Sequence, residues 1–566
     1  MRTFAENDGR KARGEVEEEE TRPGPSVEGM APPSLPRKDP EPALVGRGEL
    51  KRPGTSGAEP LEGKKRRHSL SNDASSSSKS ESVNWNGHAV VYPMSNRGDY
   101  TTATSQPLFL QALTEAFTSD DIVRRLRDTV PRQTLEQWSH FLARCYLQDT
   151  RKFHSLGHVM KLCEKSTPVQ KIATLFHDVA YFQVDNGPPP DSSAFLRDVM
   201  KLDKSEVKEH IYIIDTRAAR DPTVKVVMTI FAVKEGQKLD PTIGLNEFAS
   251  AVIGARLLLE EGCVPLDLVA EICACVEGTI PFRTNQWAEN LYSNLLHCNK
   301  EFSMCRTAEE VAVAVEAAVE LGNRDVGDFS EPEVLHFLDG TWDLLVENNP
   351  RIWVEGKRCP VLVFRSGLQK THGFLSTVAT ELIFSNFRGF PSQEVYSTLS
   401  NNAIRNVDLS RIYSGLKLVL CLVAESLEVV QGKHAQCDPS KIDAGKDKIW
   451  IKGGAMVYTS PEKRGKNGKA MTTIVSGSSC SDVARLLVMH RTVKFSCVDG
   501  ALSFLGKILL EILEGDLDRL EGLIANLKEE ARHFPPYRAL SEEVAKAIIR
   551  RCPQKLVDQV GTVFGM

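Results

Sequence analysis

FHSLGHV at 153–159 and ATLFHDVAY at 173–181 are the stretches from which the rest of the chain can be read. His154 and His158 stand four apart, the spacing that puts two side chains on one face of a helix, one turn from each other. His177 and Asp178 close an apolar run of Ile172, Ala173, Leu175 and Phe176, which would bury that helix and carry its end into the interior. A histidine beside an aspartate at a buried helix end is costly unless something balances the charge. A divalent metal ion does so.

Imidazole with carboxylate suits Mn, Mg, Fe, Zn or Co better than a soft metal, and leaves coordination positions for water. An ion of this kind lowers the pKa of the water it binds and so supplies a nucleophile near neutral pH. A departing oxygen then needs a proton, and His154 stands one turn from a ligand position. The other histidines that could be considered, His140, His210, His297, His336 and His372, read singly as ordinary core or surface residues. Cys273 and Cys275 form a C-x-C inside an apolar stretch with no second cysteine pair, which points to packing and not to zinc.

Outward from this centre the chain divides by composition. Residues 1–100 hold EVEEEE, TRPGPS and SNDASSSSKSES with few large apolar residues, and such a segment cannot bury enough surface to offset ordering its backbone. It reads as a disordered tail. From about residue 104 apolar residues recur at helical spacing. Helices are expected within 107–149 (two), and at 155–165, 169–180, 249–261, 266–277, 307–321 and 331–346. Further helices are expected at 371–388, 392–403, 408–431, 499–513, 516–532 and 540–550. A short β excursion at 185–245 carries β-like runs at 210–214 and 224–233. The Lys- and Gly-rich 433–478 reads as a basic surface insertion or small ribbon. The expected architecture is all-α, with a metal-binding domain over 104–350 and a C-terminal helical region over 351–566 packing on it.

The net charge of -5 does not advertise nucleic acid as a partner, and no DNA binding is expected. The longest apolar runs, such as KLVLCLVAESLEVV at 417–430, fall short of the roughly 20 residues that cross a bilayer. The N-terminus lacks the apolar core of a secretory signal. Thirteen cysteines without a regular framework suit a reducing compartment, so the expected location is cytoplasmic. The tail motif KKRRHSL at 64–70 offers a nuclear import signal, or a site for a basophilic kinase at Ser69. RGKNGKAMT at 464–472 lacks the spacing of a phosphate-binding loop.

The pattern H-x-x-x-H followed by an apolar helix ending F-H-D-x-x-Y resembles the HD superfamily of metal-dependent phosphohydrolases, and FHSLGHV is distantly similar to the matching stretch of cyclic-nucleotide phosphodiesterases. GLNEFASA at 244–251, ACVEGTIPFR at 274–283, ELGNRDVGDF at 320–329 and HFLDGTWDLLVENNP at 336–350 resemble segments of an uncharacterised bacterial branch. The resemblance implies that His158, His177 and Asp178 ligate a divalent ion and that His154 donates a proton. It also implies a small-molecule phosphoester or nucleotide substrate. A fourth ligand would be a carboxylate on a later helix: Asp325, favoured because these sites ordinarily use aspartate, or Glu320. Glu247 and Glu277, acidic in apolar helices, are candidates for orienting a ligand or water, and Arg283 and Arg324 for holding a phosphate. Gln369 and Gln393 are available to clamp a base, though neither sits in a matching motif. The other class of function in play is a non-catalytic HD-fold scaffold that binds a nucleotide or partner. A two-iron oxidase would need further histidines, of which His210 is the obvious spare.

Overall fold

A computed structural model describes residues 102–566 except 186, 189–191, 205–209, 285, 353–358, 435–447, 453–454, 465–469, 476–477, 490–496 and 533–537. The expectations for residues 1–100, including the basic cluster and Ser69, lie outside the described residues. Among those described, the fold is all-α with two small three-stranded antiparallel sheets. Among the described residues no helix is long and apolar enough to cross a membrane.

Local chemistry sets the helix ends around the central motif. Thr167 and Gln170 form a capping box with Pro168 in the first turn, starting the helix Pro168–Phe176. Thr307 and Glu310 do the same for Ala308–Asp325. Side chains from both helices enter one apolar core that runs from Phe109 to Leu321, joined by Phe387, and includes Ile172, Leu175, Val252, Val276 and Val315. A second core runs from Leu338 to Phe564 around the 39-residue helix Gln393–Gln431. A smaller cluster contains Phe337, Leu375 and Phe384, with Phe282 and Phe329 packed against it.

Three expectations about elements need correction. The run at 224–233 is not a strand: Pro222–Ile230 is a helix, capped by the Asp221 carboxylate, which accepts from Thr223 N at 2.8 Å. Its valines favour strands, but Val224, Val227 and Ile230 recur every three residues and bury against Leu245–Glu260 and Trp287–Glu301. The helix placed at 371–388 instead spans Val361–Thr377, starting after Pro360. The break expected between 403 and 408 is absent. Asn406 is fully buried, and its amide donates to the carbonyls of Phe329 and Glu331 at 3.0 and 2.8 Å. A polar residue satisfied by the tertiary structure does not end a helix.

In the 185–245 excursion Tyr212–Ile214 pairs with Met200–Leu202 on one side and Lys238–Leu239 on the other. Within 433–478 the strands Lys448–Lys452, Ala455–Arg464 and Ala470–Val475 form an antiparallel ribbon.

Candidate metal centre

His177 follows the last residue of the helix Pro168–Phe176, and the apolar face of that helix carries it into the interior, where it is 1% exposed. Its Nδ1–H donates to the Thr174 carbonyl at 2.7 Å. That bond fixes the tautomer and turns the Nε2 lone pair inward. There Nε2 meets Asp178 Oδ2 at 3.1 Å and Asp325 Oδ1 at 3.5 Å. His158 Nε2 lies 3.0 Å from Asp325 Oδ1. One ligand atom from each of His158, His177 and Asp178 falls within 4.8 Å of the others. Apart from this mutual approach, His177 Nε2 and Asp178 Oδ2 have no hydrogen-bond partner among the described residues.

A lone pair aimed at two carboxylates is unfavourable unless a proton or a metal cation stands between them. Burial works against a charged His177, yet the Asp178 and Asp325 carboxylates outweigh it and raise its pKa well above the usual value. Burial likewise opposes ionised Asp178, and the neighbouring imidazoles hold it well below the carboxylate range. The residues therefore fit a divalent ion. Bonds of about 2.0–2.2 Å reach from a central ion to donor atoms spaced as these are, and two carboxylates balance its charge.

The backbone that leads out of this corner is held by side chains. Asp178 N donates to the Tyr146 hydroxyl at 3.2 Å, Ala180 N to Ser250 Oγ at 3.0 Å and Phe182 N to Asn246 Oδ1 at 3.1 Å. Arg151, paired with Asp185 at 2.6 Å and fully buried, donates to the Asp178 carbonyl at 2.6 Å. These N–H groups and the Asp178 carbonyl are thus satisfied by side chains.

His154 differs from expectation. The helix begins at Leu156, so His154 lies in the segment before it and not one turn back on the same face. Glu347, at the end of Val334–Glu347, holds it there. One carboxylate oxygen of Glu347 accepts from the backbone N–H groups of Lys152, Phe153 and His154 at 2.8, 2.8 and 3.0 Å. The other lies 2.6 Å from His154 Nδ1. Burial opposes the imidazolium, but the Glu347 charge and hydrogen bond outweigh it and lift the His154 pKa to about 9. The Tyr181 ring lies against the imidazole, with centroids 4.3 Å apart.

His154, Asp178 and Asp325 line a cavity of about 690 Å³, within the range of small-molecule sites. Glu247 lines it too; burial raises its pKa to about 7, and its Oε2 has no partner among the described residues. His210 and Lys370 are also in the wall. Tyr181 entered from sequence only as the last position of F-H-D-x-x-Y, and Glu347 was not singled out, since no local pattern marks a carboxylate nearly two hundred residues from the histidine it holds.

Other candidates are engaged elsewhere. Glu320 accepts from Gln170 Nε2 at 2.9 Å, and Arg324 donates to Gln170 Oε1 at 2.6 Å. Five residues along a helix turn about 140°, so Glu320 and Asp325 face different neighbours. Glu277 and Arg283 pair with each other, and the guanidinium lies 4.2 Å over the Trp287 ring. Arg283 also donates to the carbonyls of Glu277 and Ile280, which ties down the turn carrying Thr279, Pro281 and Phe282 into the cavity wall. Gln369 accepts from Arg365 at 2.9 Å, Gln393 donates to Ser397 at 3.2 Å, and neither lines the cavity. Cys273 and Cys275 are buried in the core, and burial raises both thiols.

No family model, curated protein or solved structure matches the chain.

Proposed function

We propose that the protein is a metal-dependent phosphohydrolase that cleaves a phosphate ester of a small molecule, with a nucleotide or related phosphoester as substrate. The carrying observation is the buried convergence of His158 Nε2, His177 Nε2, Asp178 Oδ2 and Asp325 Oδ1, with the His177 ring held by Thr174 so that Nε2 faces both carboxylates. His158, His177, Asp178 and Asp325 would hold the ion. When bound, the ion supplies Lewis acidity toward a phosphoryl oxygen and an activated water.

The chain's own residues do the rest. His154, kept protonated by Glu347, donates its proton to the departing alkoxide. Glu347 fixes the imidazole and the three backbone N–H groups that precede it, so the donor is in place before substrate enters. The aromatic and polar walls of the cavity orient the leaving group.

The test is elemental analysis of purified protein together with phosphate or nucleoside release over a phosphoester panel. About one ion or more per chain and turnover on at least one ester are expected. His177→Ala should remove both while the protein still melts cooperatively. Turnover that survives His177→Ala would sink the proposal, and a bound ion without turnover on any ester would favour a regulatory HD-type scaffold.

A further inference from the structure

Arg151 stands three residues before His154, and its side chain is fully buried. The guanidinium makes four hydrogen bonds. Nε and Nη2 donate to the two carboxylate oxygens of Asp185 at 3.1 and 2.6 Å. Nη1 donates to the Asp178 carbonyl at 2.6 Å, and Nη2 to the Val179 carbonyl at 3.3 Å. Asp185 thus balances the charge, while the planar fork reaches on to the backbone that leaves the helix end at His177. Buried carbonyls there need a donor. A single ammonium could pair with Asp185 but could not span all four acceptors.

The same guanidinium lies against two tyrosine rings, 5.2 Å from the centroid of Tyr146 and 5.9 Å from that of Tyr181. Each ring extends its hold. The Tyr146 hydroxyl accepts from Asp178 N, so the N–H and the carbonyl of Asp178 are both fixed from around Arg151. With its backbone held on both sides, the Asp178 carboxylate keeps only its own side-chain rotations. Tyr181 in turn lies against the His154 imidazole, with centroids 4.3 Å apart.

We propose that Arg151 is a positioning residue: it clamps the Asp178 and Val179 carbonyls and backs the two tyrosine rings, and so fixes the Asp178 carboxylate for a metal ion and sets its place relative to His154. This rests on the reading that Asp178 holds a divalent ion. The alternative is a buried ion pair that contributes stability alone. The two differ in what happens once stability is restored. Apolar residues of similar size can replace a buried pair with little loss of stability, but they cannot donate to the carbonyls.

The test is Mn(II) titration by calorimetry, beside thermal melting, on the full chain and three variants. Arg151→Met combined with Asp185→Leu should melt close to the parent, yet bind Mn(II) about 10–100-fold more weakly. Arg151→Lys keeps a charge for Asp185 but loses the fork, and should also bind Mn(II) more weakly. Asp185→Asn keeps Arg151 and its carbonyl bonds, and should melt lower while holding Mn(II) as the parent does. The visible absorption of the Co(II)-loaded protein, which reports ligand geometry, should shift in the double variant and not in Asp185→Asn. A folded double variant or Arg151→Lys that binds Mn(II) as tightly as the parent would overturn the proposal. So would an affinity loss in Asp185→Asn that tracks its melting temperature, since affinity would then follow stability. A parent that binds no Mn(II) removes the metal-centre reading and the Arg151 role with it. Mn(II)-loaded parent that hydrolyses no phosphoester, bis(4-nitrophenyl) phosphate included, removes the hydrolase reading and leaves the positioning result in force.

Discussion

His154 keeps its proton because Glu347 compensates for burial, and this sets two expectations at the level of single residues. Its folded pKa of about 9 exceeds the unfolded value of about 6.5. The stabilisation from the pair is therefore complete below about pH 6.5 and is lost as pH rises through about 9. In the metal-free chain it amounts to about 3 kcal/mol, so the melting temperature should fall over that window. For the proposed hydrolysis, kcat/KM should decline above about pH 9 as His154 loses its proton. Glu347→Gln should move that decline to lower pH and reduce kcat by about 10–100-fold. A purely structural role for Glu347 would lower stability and leave the pH at which activity declines unchanged. The candidates His158, His177 and Asp178 were legible because each is marked locally: a histidine pair, then an apolar run ending in His-Asp. Glu347 was not, since what defines its role is a contact across the fold.

At the level of elements, the position of Asp325 depends on how closely two helices approach. Leu266–Gly278 and Ala308–Asp325 cross with Gly322 against Gly278. A Cβ on Gly322 would lie 2.2 Å from the Gly278 carbonyl oxygen, and one on Gly278 would lie 2.5 Å from the Ala318 carbonyl oxygen. Backbone on both sides leaves nothing flexible to yield. Gly322→Ala should cost about 1–3 kcal/mol and weaken metal binding, because Asp325 is one turn further along the displaced helix. Gly373→Ala is the control: open space surrounds it in the helix Val361–Thr377, and the change should be neutral or stabilise by up to ~1 kcal/mol. Chemical denaturation and metal titration of the two variants decide the matter. Equal behaviour would show that the crossing does not position the carboxylate. The misread elements share a cause. The valines of Pro222–Ile230 and the polar face at Asn406 obey tertiary partners and override their local preferences.

For the whole molecule, the two cores meet at the helix that holds His154. Val334–Glu347 places Leu338, Trp342, Leu345 and Val346 in the C-terminal core, while its last residue reaches the metal centre. A fragment ending at 350 would expose those four side chains, and should aggregate or fail to melt cooperatively. The chain from 102 onward should retain metal binding. The C-terminal core also encloses two ion pairs, Arg365–Glu425 and Lys417–Asp499, with every partner at most 2% exposed at its side chain. Lys417 stacks near the Trp342 and Tyr413 rings, at 5.2 and 4.7 Å. Burial lowers the Lys417 pKa against the pull of Asp499. Removing one partner, as in Asp499→Asn, should cost about 3–5 kcal/mol. Lys417→Met combined with Asp499→Leu should recover much of that loss in denaturant titrations, because an apolar pair leaves no charge stranded.

By itself the sequence determined the all-α character and the cluster of metal-ligand candidates, because helical periodicity and short-range spacing are properties of neighbouring residues. It also left Asp325 and Glu320 as alternatives, and it paired His154 with His158 on a helix that starts only after His154. Tertiary structure decided which carboxylate stands beside the imidazoles and what holds His154. It also decided which arginines are already engaged. Those outcomes depend on segments nearly two hundred residues apart being brought within about 3 Å, and on burial that sets imidazoles and carboxylates against one another away from water.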